Sequence, residues 1–192
     1  MALKFETGNI TKASTDAIVN AANSGLKRGG GVCGAIFNAV QATGGRDAHI
    51  NLTTACDAIG HCSTGNAVIT PSFGLPATHI IHAVGPIWSG NTNPVDRLDG
   101  GQSMHIKALA DTYRAILRVC RENNLKSVTI PAISTGIYDF PEDLAAAIAV
   151  KVCAEESDDI EVTLIGYNSD STIVLMNTPS PRATTILSGL AF

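Results

Sequence analysis

Asp16-Ala-Ile-Val-Asn-Ala-Ala-Asn23, followed by Gly29-Gly30-Gly31-Val32-Cys33-Gly34, is the stretch whose reading decides the fold. Ala17–Asn20 is a short apolar run of the kind that forms a fully buried strand. The glycines after it open a helix over Val32–Ala42. A buried strand that passes through a glycine loop into a helix is the building unit of an open α/β sheet.

The rest of the chain repeats that alternation. Leu3–Glu6 reads as an edge strand, and a second helical stretch covers Ala48–Ile59. Asn66–Thr70 and His79–Ala83 are β-rich runs separated by Pro71, Gly74 and Pro76, which predicts a hairpin or two adjacent strands. In Gln102–Asn123 the apolar residues Ile106, Leu109, Ala110, Tyr113, Ile116, Leu117 and Cys120 recur at helical spacing, which predicts the longest helix. Ser127–Ile130 is a buried strand, and Pro141 suits the first turn of a helix over Glu142–Ala154. Ile160–Ile165 is another strand, and Thr172–Met176 fits strand or helix. The fold class expected is α/β, a mostly parallel sheet covered by helices on both faces. Residues 1–178 are read as one domain, and 179–192 as a C-terminal helix or tail.

Composition narrows the function. The chain has 192 residues and a formal net charge of −4, with no basic run, which disfavours sequence-nonspecific nucleic-acid binding. No charged-then-apolar leader pattern opens it, and no apolar run reaches membrane-spanning length. The five cysteines (33, 56, 62, 120 and 153) are scattered and odd in number, as expected for reduced thiols in a cytoplasmic protein. Cys56, His61 and Cys62 lie close together, but no CxxC pair or second ligand cluster accompanies them, so neither a metal nor a cofactor is expected.

In an open α/β sheet, ligands sit outside the carboxyl ends of the strands. Two loops answer that description. Asn20 to Gly34 offers carboxamides suited to ribose hydroxyls and glycine N–H groups ahead of a helix N-terminus, suited to an anion. Ile130-Pro-Ala-Ile-Ser134-Thr135-Gly136-Ile137-Tyr138 leaves a second buried strand with hydroxyls and a turning backbone. Two anion loops from different strands suit a diphosphate better than one phosphate. Gly29, Gly31 and Gly34 also fit G-x-G-x-x-G, but Asn20 precedes Gly29 by nine residues and no acidic residue ends a second strand downstream. A nicotinamide-dependent oxidoreductase is therefore disfavoured.

At this point the chain resembles the macrodomains, which bind ADP-ribose. The resemblance rests on Gly8-Asn9-Ile10-Thr11, Asp16–Asn23, Gly29–Gly34, Ile81-His82-Ala83-Val84-Gly85-Pro86 and Ile133–Tyr138, in order from about Leu3 to Tyr167. It looks closest to the MacroD-type branch, with some likeness to viral macrodomains around Val32-Cys33. It implies a three-layer α/β/α sandwich with a mixed, mostly parallel central sheet. It also implies site roles. Asn9 and Ile10 would lie beside the adenine, with Tyr167 flanking it or capping the core. Asn23 would hold the distal ribose, and Gly30, Gly31, Val32 and Gly34 would pass along that ribose and the diphosphate. Ser134, Thr135, Gly136, Ile137 and Tyr138 would wrap the diphosphate. Asn20 would serve the ligand or pair loop backbone groups, and His82 reads as a core histidine.

Two positions depart from the family. Asn9 stands where the family usually has an Asp that accepts from the adenine amino group; Asn still accepts through its oxygen, but more weakly. Cys33 stands where MacroD-type hydrolases carry an Asp that positions or activates the hydrolytic water. Asp139 would return a carboxylate to the far wall of the cleft, or sit ahead of Pro141 as a favourable helix N-terminal charge. The implied activity is hydrolysis of ADP-ribosyl esters, either mono-ADP-ribosyl Asp or Glu on proteins or O-acetyl-ADP-ribose, with Asn23, Cys33 and Asp139 as catalytic candidates. The alternative is a non-catalytic ADP-ribose reader. The partners implied are ADP-ribose, its esters and mono-ADP-ribosylated proteins.

Overall fold

A computed structural model describes residues 3–88, 100–177 and 188. The expected tail, 179–192, lies outside them apart from Ser188. The elements are β1 (Lys4–Thr7), a 3-10 turn at Ile10–Lys12, β2 (Ala17–Ala21), α1 (Gly31–Ile59), β3 (Asn66–Pro71), β4 (His79–Val84), α2 (Gly100–Glu122), β5 (Ser127–Pro131), α3 (Glu142–Glu156), β6 (Glu161–Gly166) and α4 (Ser169–Met176). The sheet order is β1-β6-β5-β2-β4-β3. All neighbours are parallel except β3 and β4. The two β-rich runs split by Pro71, Gly74 and Pro76 are thus an antiparallel pair at one edge, and β1 is the other edge.

Side-chain alternation along the strands divides the core into two layers. From β2, Ala17 and Val19 pack with Leu109, Tyr113 and Ile116 of α2 and Ile148 of α3. Ile18 points the opposite way, to Ile36, Phe37 and Val40 of α1. With helices on both faces, β2 can be apolar throughout, and Ile18 and Val19 are fully buried. Full burial of each contributes about 1.5–3 kcal/mol.

The helices sharpen the sequence reading. The two expected at Val32–Ala42 and Ala48–Ile59 meet within α1 at Gly45, where the backbone leaves helical geometry with a φ of 75° that only glycine adopts freely. Gln102–Asn123 therefore forms the longest unkinked helix rather than the longest element. Pro141 is the N-cap of α3, one position before its first turn, and Thr172–Met176 is helical, started by Asn168 accepting from Ser171 N–H at 2.9 Å.

The site follows from the strand order. From β2 the chain passes through α1 to β3 and then β4 on one side; from β5 it passes through α3 to β6 on the other, with β1 beyond. β2 and β5 are parallel neighbours, with Ala17 opposite Val128. The loops leaving their carboxyl ends are forced to diverge, and a crevice opens between them.

Candidate functional site

The first wall is the loop from Ala21 to α1. Asn23 shapes it: its Nδ2 donates to Lys27 O at 2.7 Å and its Oδ1 accepts from Lys27 N–H at 3.1 Å. α1 starts from Gly30, in extended conformation, with no side-chain cap and no acidic residue in its first turn. An uncapped N-terminus at the mouth of a crevice is suited to an anion. Lys27 and Arg28 flank the loop but turn to Asp57 and Asn38, so the cradle is made of backbone N–H groups. Gly34 is buried against the loop it closes, and a Cβ there would stand 2.8 Å from Gly29 O.

Cys33 lies beneath this loop. It is 3% exposed; its thiol accepts from Gly29 N–H at 3.3 Å and from Asn20 Nδ2 at 3.7 Å, and donates to Lys27 O at 3.8 Å. The register places Asn20 opposite His82, and Asn20 Nδ2 lies 3.0 Å from His82 Nδ1. The carboxamide therefore pairs with His82 and Cys33 rather than with loop backbone. His82 Nε2 reaches Thr70 Oγ1 at 2.9 Å. With Nδ1 accepting, Nε2–H is the donor and the ring is neutral. Burial pushes the imidazole pKa down to about 4. His82 is a core histidine, and Thr70 and His82 are the supports that the sequence left unassigned to the site. Their signal was a polar residue at an inward position of each of two apolar strands, legible once the register is known.

The second wall is the β5–α3 loop. Ser134 and Asp139 both have left-handed backbone, φ 67° and 55°. The turn is held by Phe140 N–H to Ser134 O at 2.9 Å, Asp139 N–H to Gly136 O at 3.0 Å and Thr135 Oγ1 to Ala132 O at 3.0 Å. Trp88, unmarked in the sequence, donates its backbone N–H to Tyr138 O at 2.8 Å, and its ring packs on Phe140 with centroids 4.6 Å apart. Ile137 is 78% exposed. Its Cδ1 lies 3.0 Å from where a Gly30 Cβ would be, so the two walls meet over the crevice. Two polar atoms at the strand ends, Asn20 Oδ1 and Ser134 Oγ, are buried with no hydrogen-bond partner among the described residues.

Asn9, Ile10 and Tyr167 follow the ends of β1 and β6, and Ile10 packs in the cluster that holds Cys33 and Ile36. Ile10 is buried; Tyr167 is 88% exposed, so it does not cap the core. Asn9 Oδ1 accepts from Thr11 N–H at 3.0 Å and Thr11 Oγ1 at 2.8 Å. The oxygen expected to face an adenine amino group is already engaged. Asp139 is exposed, and its carboxylate makes no hydrogen bond among the described residues. Among those residues no group of three His, Cys, Asp or Glu side chains could hold a metal.

Asn20, Asn23, Gly30, Gly31, Val32, Cys33 and Gly34 thus form one wall, and Ser134, Thr135, Gly136, Ile137 and Tyr138 the other. From β1 to β2 is three strand spacings, roughly 14 Å at about 4.8 Å each.

The Macro domain family pattern matches residues 19–149. A macro domain-containing protein of Lactiplantibacillus plantarum is 43% identical over 149 residues, 78% of this chain and 76% of that protein. An O-acetyl-ADP-ribose deacetylase of Salmonella gallinarum is 41% identical over 157 residues, covering 80% and 78%. Among solved structures, the Oceanobacillus iheyensis macrodomain with ADP superposes with a TM-score of 0.75 at 29% identity, over 98% of this chain and 93% of that one. The Trypanosoma brucei macrodomain in complex with ADP-ribose gives 0.72 at 28% identity, over 90% and 67%. Fold, crevice and sequence agree: the chain belongs to the macro domain family.

Proposed function

We propose that the crevice binds ADP-ribose and that the protein hydrolyses ADP-ribosyl esters. The observation that carries the binding is the row of subsites across the strand ends. An exposed aromatic and a carboxamide stand at β1/β6, a turning loop with a buried hydroxyl at β5, and a glycine cradle with carboxamides at β2. A span of roughly 14 Å exceeds a sugar phosphate and fits a base, ribose, diphosphate and second ribose in a row. Solved macrodomains holding ADP and ADP-ribose, and a relative named as an O-acetyl-ADP-ribose deacetylase, support the same reading.

Ser134–Tyr138 and the α1 N-terminus would hold the diphosphate, and the Asn23 side of the glycine loop the distal ribose. For a mono-ADP-ribosyl Asp or Glu, water held between diphosphate and glycine loop attacks the anomeric carbon. The new bond is water oxygen to that carbon, the bond to the carboxylate oxygen breaks, and a water proton leaves to the phosphate or solvent. With O-acetyl-ADP-ribose, the acyl carbon is an alternative target. Catalysis on this reading comes from orientation and from backbone dipoles aimed at developing charge. Asp139 remains the one carboxylate within the second wall.

One observation favours the rival, a non-catalytic reader of mono-ADP-ribosylated proteins. The Cys33 thiol is buried and engaged with the loop, so it does not replace a carboxylate facing the water. Incubation with a protein bearing mono-ADP-ribose on Asp or Glu, and separately with O-acetyl-ADP-ribose, separates the two. Release of free ADP-ribose or acetate with turnover supports the hydrolase; retention of the modified protein without release establishes the reader. Absence of any ADP-ribose binding overturns both.

A further inference from the structure

The row of strand ends continues past β2. The next two strands are β4 and β3. β3 is antiparallel, so its first residues lie beside the carboxyl end of β4, with Asn66 opposite Val84. Three backbone bonds tie this corner to the ribose side of the glycine loop. Ala22 N–H donates to Ala83 O, Cys62 N–H to Ser24 O and Gly65 N–H to Val84 O, each at 2.9 Å. Asn23 lies between the first two of these anchors.

A groove of about 580 Å³ opens at this corner. Thr64–Asn66 form one wall, and Lys107, Asp111, Arg114 and Arg118, spaced along one side of α2, form the other. The walls meet closely: a Gly65 Cβ would stand 3.7 Å from Ala108 O and from Asp111 Cβ. Three cations and one carboxylate thus line a groove on a chain whose formal net charge is −4. Arg114 is held by Glu156 at 2.8 Å and Asp111 at 3.3 Å. The side chains of Lys107 and Arg118 are 72% and 53% exposed, and each meets a carboxylate of its own helix, Asp111 at 2.6 Å and Glu122 at 3.7 Å. Exposed pairs of this kind contribute little, so an incoming carboxylate replaces them at small cost.

We propose that this groove holds an acidic stretch of the polypeptide whose Asp or Glu carries the ADP-ribose, and so selects targets by the charge beside the modified residue. The proposal rests on the reading of the crevice as an ADP-ribose site. The distal ribose, at β2, is the end of the ligand that bears the polypeptide, and β3 is two strand spacings further, roughly 10 Å at about 4.8 Å each. An extended chain advances roughly 3.3–3.6 Å per residue, so residues about three positions from the modified one reach the groove. Lys107 and Arg118 stand roughly 16 Å apart along the helix at about 1.5 Å per residue, a length that about five extended residues span. Free ADP-ribose ends at the ribose and does not extend to these cations.

The test is calorimetric titration with two peptides, each carrying ADP-ribose on one residue through a hydrolysis-resistant amide linkage, flanked by glutamates in one and by glutamines in the other. Free ADP-ribose is titrated beside them. Wild type should bind the acidic peptide about threefold to tenfold more tightly than the neutral one at low ionic strength, as expected of two exposed charge contacts, and the ratio should shrink as salt is added. Lys107→Gln with Arg118→Gln should abolish the preference, and Lys107→Glu with Arg118→Glu should invert it. Both variants should bind free ADP-ribose as wild type does, with the thermal midpoint retained. Equal affinities for the two peptides in the wild type, or a preference that neither double substitution alters, overturn the proposal and leave the ADP-ribose site standing. Displacement of the acidic peptide by a single-stranded oligonucleotide but not by unmodified polyglutamate would assign the groove to nucleic acid and overturn it as well. If wild type binds neither peptide nor free ADP-ribose, the proposed function itself falls, and this proposal with it.

Discussion

Gly34→Ala probes how closely the glycine loop is fitted to the helix it starts. A Cβ at this position would stand 2.8 Å from Gly29 O, whereas ordinary contacts begin at 3.4 Å. About 0.6 Å must be found, and both parties are backbone. α1 is anchored by fully buried Ile36 and Val40, so the loop yields first. Displacing Gly29 lengthens its 3.3 Å bond to the Cys33 thiol and tilts the adjoining N–H groups away from where an anion would sit. Overpacking of this kind costs roughly 1–3 kcal/mol. If that cost is incurred mainly in assembling the bound loop, ADP-ribose affinity falls roughly 5- to 150-fold. If it is borne by the free protein, the thermal midpoint falls by several degrees instead. Isothermal titration with ADP-ribose and thermal unfolding by circular dichroism measure the two shares. A folded Gly34→Ala protein with affinity within twofold of wild type and an unchanged midpoint would refute the close fit.

Other outcomes follow from the same geometry. Cys33→Ala should raise KM about threefold to tenfold, one lost hydrogen bond, and leave kcat within twofold, because the thiol holds the loop; a tenfold fall in kcat on either hydrolase substrate would make the thiol a participant. Asp139→Ala should abolish turnover without changing ADP-ribose affinity if its carboxylate serves the water; unchanged kcat would remove it from the mechanism. His82 titrates near 6.5 when unfolded but at about 4 when folded, so the unfolded chain gains a proton first as pH falls. Its contribution to stability is complete above pH 6.5, declines between 6.5 and 4, and reaches a loss of about 3 kcal/mol below. Urea midpoints at pH 7.5 and 4.5 should converge in His82→Gln relative to wild type; an equal pH dependence in the two proteins would contradict this.

The parts of the fold legible in the sequence were those set by local pattern. Ala17–Asn20 could be buried on both faces only inside a parallel sheet, and the helical spacing from Ile106 to Cys120 admitted one element. The break in α1 was legible too, since the kink at Gly45 falls in the gap left between the helices read at Val32–Ala42 and Ala48–Ile59. Thr172–Met176 was ambiguous because its β-branched residues suit strands, while the deciding cap, Asn168, lies outside the run. At the site, the glycines and the Ser134–Tyr138 loop could be read directly, since phosphate cradles need those residue types. The partners of Asn20 and Cys33 could not, because they depend on the β2–β4 register. Asn9 looked like a weakened acceptor; only the position of Thr11 N–H shows that its oxygen is already engaged.

The central claim is that ADP-ribose lies in the crevice between the two loops. Titrating ADP-ribose into isotopically labelled protein and following backbone amides by NMR tests it directly. Gly29–Gly34 and Ser134–Tyr138 should shift together along one saturable one-to-one curve, with Asn9 and Tyr167 moving on the same curve. No saturable shift, or shifts confined to residues away from both loops, would contradict the account.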